Sequence, residues 1–222
     1  MIEKSKRETG EEVGESQLLE LLKTRGEDGL AEYFMKNRSR LHRMVAMRMD
    51  QRLAQRVDAS DVLQEGFVDA AKRLNEFIDN PSMPLFIWIR FLVGQKLAAV
   101  HRWHFQTQKR DPRREELPAS QKRPAVDSQV LAREFSASMT SPSQAVSRAE
   151  ATEKMFRVLE TLESMDREIL VMRHFEELSN NEAASELGIT KGTASKRYVR
   201  ALARLNKAMS SAGSVPEIRE DG

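Results

Sequence analysis

The chain contains no cysteine, which excludes disulfides, thiolate-built zinc sites and thiol nucleophiles together. No apolar run approaches the roughly 20 residues that a bilayer span requires. The opening stretch, residues 1–16, mixes both charge signs around no apolar centre, so neither a signal peptide nor a transit peptide is expected. Phosphate-binding glycine loops and nucleophile elbows are absent from the sequence, and no alternating run reads as a strand. His101 and His104 have a spacing that could hold a metal, with His42 and His174 elsewhere. No acidic residue lies beside that pair, and basic, aromatic sequence is poor ligand company. Their expected place is a polar helix end rather than a metal site. What remains is a cytoplasmic, non-enzymatic helical protein, with no cofactor, no metal and no membrane partner expected.

Charge is present in quantity but nearly balanced, at a formal net +2. Its distribution is more informative than its sum. Between Thr190 and Met209 stand Lys191, Lys196, Arg197, Arg200, Arg204 and Lys207, with no acid among them. A one-signed block on a helix is the footprint expected for a polyanion partner.

Apolar residues recur with helical period throughout. Leu30, Phe34, Leu41, Val45 and Met49 share one face, and Leu63, Phe67, Ala70, Ala71 and Leu74 share another. Asp58 and Ser60 are placed to cap the second helix. Asn80-Pro81-Ser82-Met83-Pro84 breaks the chain, and Pro84 suits the first turn of a helix from about Leu85 to His104. From Gln106 the pattern fails around Pro112, Pro118 and Pro124. Ser141-Pro142-Ser143 restarts it, and Ala145, Ala149, Thr152, Phe156 and Leu159 form a further stripe. The predicted fold is all-α: two small helical domains, 16–105 and 143–210, joined by a flexible linker over 106–142. Residues 1–15 and 211–222 are expected to be tails.

The C-terminal domain carries the clearest local code. Ser179 with Glu182 forms a capping box, Gly188 suits the left-handed end of a helix, Ile189 fills the corner, and Thr190 can cap the next helix. Ala183, Ala184 and Leu187 offer one small apolar face; Ala194, Tyr198, Leu202 and Leu205 offer the facing one. That is a helix-turn-helix. The outer side of its second helix is Lys191, Thr193, Ser195, Lys196, Arg197 and Arg200, whose ammonium, guanidinium and hydroxyl groups suit phosphates and base edges in a major groove.

The stretch SMDREILVMRHFEELSNNEAASELGITKGTASKRYVRALARL resembles region 4 of bacterial RNA polymerase sigma factors over Ser164–Leu205. The resemblance implies that this domain reads the −35 promoter element, with Lys191, Thr193, Lys196, Arg197 and Arg200 meeting bases and phosphates. DASDVLQEGFVDAAKRL resembles the region 2 helix that docks on core polymerase, which makes Asp61, Gln64 and Glu65 the implied polymerase contacts, with Leu63 and Phe67 facing inward. MPLFIWIRFLVGQKLAAVHRWHF resembles the −10 recognition and melting helix. It implies single-stranded DNA contacts by Trp88, Phe91, Gln95 and Arg102, since every base offers a face to an aromatic ring. The loop from Asn75 to Phe86 is then expected to hold a flipped-out base. Gly94-Gln95 and Ala99 stand where many relatives carry Arg-Asn and Asp, a departure that bears on promoter preference. Two regions with a linker between them resemble the extracytoplasmic-function (ECF) group. The implied partners are core RNA polymerase and promoter DNA, with room for an anti-sigma factor. The rival is a polymerase-independent helix-turn-helix regulator, which predicts tight specific duplex binding by the chain alone and usually a dimer interface.

Overall fold

Leu30, Phe34, Leu41, Val45 and Met49, the stripe spaced for one helix face, are all buried in a computed structural model that describes residues 2–106, 124–139 and 145–210. Every regular element among the described residues is helical. The chain divides into two units, Met1–Pro124 and Ala125–Gly222.

In the first unit, α1 spans Ile2–Arg48 with a kink at Gly26 (φ 52°, ψ −128°). Most of the tail expected at 1–15 is therefore helical. That segment has no proline to interrupt a helix. Helix α2 (Gln51–Ala54) follows a turn in which the Asp50 carboxylate accepts from the Arg52 amide. At the start of α3 (Ala59–Lys72) Asp58 is the cap, accepting from the Ser60 amide at 2.7 Å. Ser60 is thus the capped residue, and its hydroxyl accepts from Arg38. Helix α4 covers Leu74–Asp79. The Pro84 carbonyl accepts from the Trp88 amide at 3.0 Å and opens α5 (Leu85–Gln106).

Helix α3 lies against α5, and both pack on α1. Val62, Leu63 and Ala70 of α3 meet a core filled by Leu85, Phe86, Ile89, Leu92, Val93 and Leu97 of α5. Each large apolar side chain among them contributes about 1.5–3 kcal/mol when fully buried. The Phe34 and Phe67 rings meet edge to face at 5.1 Å, and Lys96 pairs with Asp69 at 2.9 Å on the α3–α5 seam.

The second unit begins earlier than the sequence pattern suggests. Helix α6 spans Ser128–Met139, inside the expected linker, with Asp127 accepting from the Gln129 amide at 2.7 Å. Its stripe of Leu131, Ala132, Phe135 and Ser136 is buried. Inward positions recurring over two turns suffice for a short amphipathic helix, although the segment's overall composition is polar. The flexible linker of 106–142 is corrected accordingly: 128–139 is a packed helix, while 107–123 and Ser141-Pro142-Ser143 lie outside the described residues. Helix α7 (Ala145–Glu160) packs on α6. Its buried positions are Met155 and Leu159; Thr152 and Phe156 are half-buried and Ala149 is exposed, so the inward face is rotated from the predicted stripe. Next come α8 (Ser164–Leu170), a π-helical turn at Val171–Phe175, α9 (Asn180–Leu187) and α10 (Lys191–Ser210). The 211–222 tail is outside the described residues.

Candidate nucleic-acid interface

The turn between α9 and α10 is built by the side chains expected to build it. Ser179 accepts from the Glu182 amide at 3.1 Å while the Glu182 carboxylate accepts from the Ser179 amide at 2.7 Å. Gly188 ends α9 in the left-handed region (φ 64°, ψ 33°), where a side chain would be strained. The Ile189 amide then donates back to the Ala184 carbonyl at 3.0 Å. Thr190 accepts from the Thr193 amide at 3.2 Å, starting α10. Ile169, Ala184 and Ala194 form the small core beneath this corner, with Leu187, Ile189 and Tyr198 against it. A further cross-link is the Asn180 side chain, which donates to the Lys191 carbonyl at 2.9 Å.

Helix α8 is joined to its neighbours by polar contacts. Arg167 donates to the carbonyls of Leu159, in the last turn of α7, and Leu162, in the turn that follows it. Past the π turn, Glu177 has a positive φ of 56°, and Arg173 donates to the Leu178 carbonyl while lying over the Tyr198 ring.

The basic side of α10 is less uniform than its sequence. Lys191, Thr193, Ser195 and Lys196 are exposed. The side chains of Arg197 and Arg200 turn back toward α8. Arg197 Nη1 reaches Asp166 Oδ1 at 2.7 Å and Glu163 Oε2 at 2.8 Å. Arg200 Nη2 reaches both Asp166 oxygens, at 3.2 and 2.9 Å. The Asp166 side chain is 0% exposed, against 25% for Arg197 and 48% for Arg200. Glu163 and then Asp166 hold the Arg197 guanidinium above its ordinary range. The side of α10 opposite its buried face carries Gly192, Lys196, Val199 and Ala203, all exposed and recurring at intervals of three and four. Val199 is 61% exposed. Small residues on that side let a helix backbone approach a groove, and a valine can meet a thymine methyl. Val199 is not among the residues expected on this side, since an apolar side chain carries no charge or hydroxyl to mark it as a DNA contact.

In the first unit, Asp61, Gln64 and Glu65 lie together on the side of α3 away from buried Val62 and Leu63, and all three are exposed. On α5, Trp88 is half-buried and stacked on Phe77 at 4.4 Å, so one ring face is already covered. Phe91 and Gln95 are half-buried and Arg102 is exposed. The four residues singled out for single-stranded DNA thus do not form one open surface. Trp103 is the exposed aromatic of this helix at 68%, with its ring edge-on to His104 at 4.6 Å. The expected loop from Asn75 to Phe86 is mostly not a loop: α4 runs to Asp79, and Leu85 and Phe86 are buried, leaving Asn80–Pro84. His101 is buried rather than presented at a polar helix end. Among the described residues no three His, Asp or Glu side chains group as a metal site, and no helix is long and apolar enough to cross a membrane.

Residues 152–205, which hold the Glu163–Asp166–Arg197–Arg200 cluster and the whole turn, match the family described as Sigma-70, region 4. Over 54 residues the chain is 39% identical to the RNA polymerase sigma-E factor of Streptomyces avermitilis, a match covering 24% of this chain and 30% of that relative. The match thus spans under a third of the relative's length. The solved structure of CnrH in complex with the cytosolic domain of CnrY has the same all-helical fold, with a TM-score of 0.50 at 19% identity. That likeness covers 90% of this chain and 99% of the other. The sequence matches agree with the resemblance to sigma-factor region 4 over residues 152–205, and the structural likeness concerns the all-helical fold alone.

Proposed function

We propose that the chain is a sigma factor that binds core RNA polymerase and directs promoter-specific initiation, with no catalytic step of its own. The observation that carries this reading is the region 4 helix-turn-helix, whose second helix offers Lys191, Thr193, Ser195 and Lys196 outward. In the proposal those side chains read the −35 element, with Arg197 and Arg200 flanking them. The first unit acts as region 2: Asp61, Gln64 and Glu65 dock on polymerase. Arg102 and the aromatic residues of α5, Trp88 and Phe91 with Gln95 beside them, support the opened −10 strand. The solvent-facing position of the three α3 side chains supports the docking role. An anti-sigma partner belongs to the same proposal, supported by the fold shared with CnrH, which was solved bound to a cytosolic domain.

The test is reconstitution. Purified chain is mixed with core polymerase, and transcription from a promoter library is sequenced. Co-purification with core and enrichment of promoters sharing −35 and −10 elements are expected. Absence of core binding, together with tight specific duplex binding by the chain alone, would replace this reading with that of an independent regulator.

A further inference from the structure

We propose that Asp166 and Glu163 neutralise two arginines of the recognition helix and thereby limit its sequence-independent grip on DNA. The proposal rests on α10 being the DNA-reading helix. Its basis is the charge balance in one cluster. Two guanidiniums, Arg197 and Arg200, face two carboxylates, Glu163 and Asp166, at 2.7–3.2 Å, so the group is formally neutral.

Asp166 cannot release its partners cheaply. It is fully buried, and a buried carboxylate stripped of its cations is strongly destabilising. Arg200 engages both of its oxygens and Arg197 one. Affinity for the DNA backbone scales with the number of phosphates whose counterions are released. An arginine held by a carboxylate adds less to that number than an arginine facing solvent. Of the six basic residues between Thr190 and Met209, two are thus offset from within the domain. Base contacts by the outward residues keep their share of the binding energy, because non-specific affinity is held down. Asp166 is in this sense a positioning residue, acting through the arginines it holds.

The experiment uses the full chain and two short fluorescent duplexes, one bearing the −35 element recovered from the promoter library and one scrambled. Binding is followed by anisotropy over a salt series for wild type, Asp166→Asn, Glu163→Gln and Lys196→Ala. Either carboxylate change leaves the cluster with one net positive charge. Each is expected to steepen the salt slope by about 0.9, one extra phosphate. Each should also tighten the scrambled duplex several-fold at low salt and narrow the ratio between the two duplexes. A purely structural role for the carboxylates would lower the melting temperature without steepening the slope. Should Asp166→Asn fail to fold, Glu163→Gln decides alone, since Glu163 is an exposed residue. Unchanged or shallower slopes in the folded carboxylate variants, with Lys196→Ala lowering the slope, overturn the inference and leave the role of α10 intact. If Lys196→Ala also leaves the slope unchanged, α10 does not meet DNA and both readings fall.

Discussion

Gly66 on α3 lies directly against Val93 on α5: a Cβ placed on the glycine would come within 2.5 Å of Val93 Cγ2 and 3.1 Å of its Cα. The second distance matters more than the first, because a backbone atom cannot swing aside as a side chain can. The contact sits between the proposed docking helix and the proposed −10 helix, and their separation is set by the absence of one methyl group. Gly66→Ala is expected to push α3 from α5 and cost about 1–3 kcal/mol, the usual range for overpacking, even though alanine favours helix. Chemical denaturation of the full chain, followed by the fluorescence of Trp88 and Trp103, checks it. A variant as stable as wild type would mean that α3 can slide without consequence.

The Asp58 cap gives the first unit a pH-dependent element. The Ser60 amide and hydroxyl beside it hold its carboxyl below the ordinary aspartate value. A lowered folded-state value means that the charged cap stabilises above the unfolded pKa, about 3.9, and that this contribution is lost as pH falls through the lower value. Asp58→Asn keeps a good capping side chain without the titration. Thermal melts at descending pH should therefore converge, with wild type losing its lead only in the acid range. A gap between the two that stays constant down to the lowest pH would show that the charge adds nothing.

Much of this was legible in the residues because it is local. The Ser179–Glu182 box, Gly188 and the Thr190 cap each depend on neighbours within a few positions, and the structure has each of them in its expected place. What escaped is tertiary. Asp166 is 31 and 34 residues from the arginines it holds, and no pattern along the chain joins them. Trp88 and Phe77 stack across a proline-containing break, so a ring expected to face DNA is half-covered. Helix α6 was hidden by composition: its inward stripe is short, and Ala132 and Ser136 are small. Phe135 becomes core because it meets the Phe175 ring at 4.8 Å, a contact between residues far apart in sequence.

The three carboxylate and amide side chains of α3 provide a separation of function. Asp61, Gln64 and Glu65 stand on its solvent side, so replacing all three by alanine should shift stability by no more than about 0.5 kcal/mol each. Core polymerase binding, measured by co-elution or anisotropy, is expected to fall sharply in the same protein. Full core binding by a normally folded triple variant would remove α3 from the docking surface.

The outward pole of α10 supports the sharpest distinction. Lys196 and Val199 are neighbours on it, one charged and one apolar, and both are exposed. If this side enters the major groove, Lys196→Ala should cost about 1–3 kcal/mol on the preferred −35 sequence, and relax the preference, if it contacts a base edge. Val199→Asp should be worse than Val199→Ala, because a carboxylate there meets the negative potential of the groove while alanine only loses methyl contact. Arg200→Ala should behave differently from both. Its guanidinium is committed to Asp166 at 2.9 Å, so removing it leaves a buried carboxylate short of a partner and lowers the melting temperature. Promoter binding by reconstituted holoenzyme, on preferred and −35-scrambled DNA, separates these cases when each variant's melting curve is taken alongside. Lys196→Ala and Val199→Asp should fold normally and bind poorly, whereas Arg200→Ala should bind poorly in proportion to its lost stability. Normal −35 discrimination by both Lys196→Ala and Val199→Asp would mean that another face of the helix meets the groove.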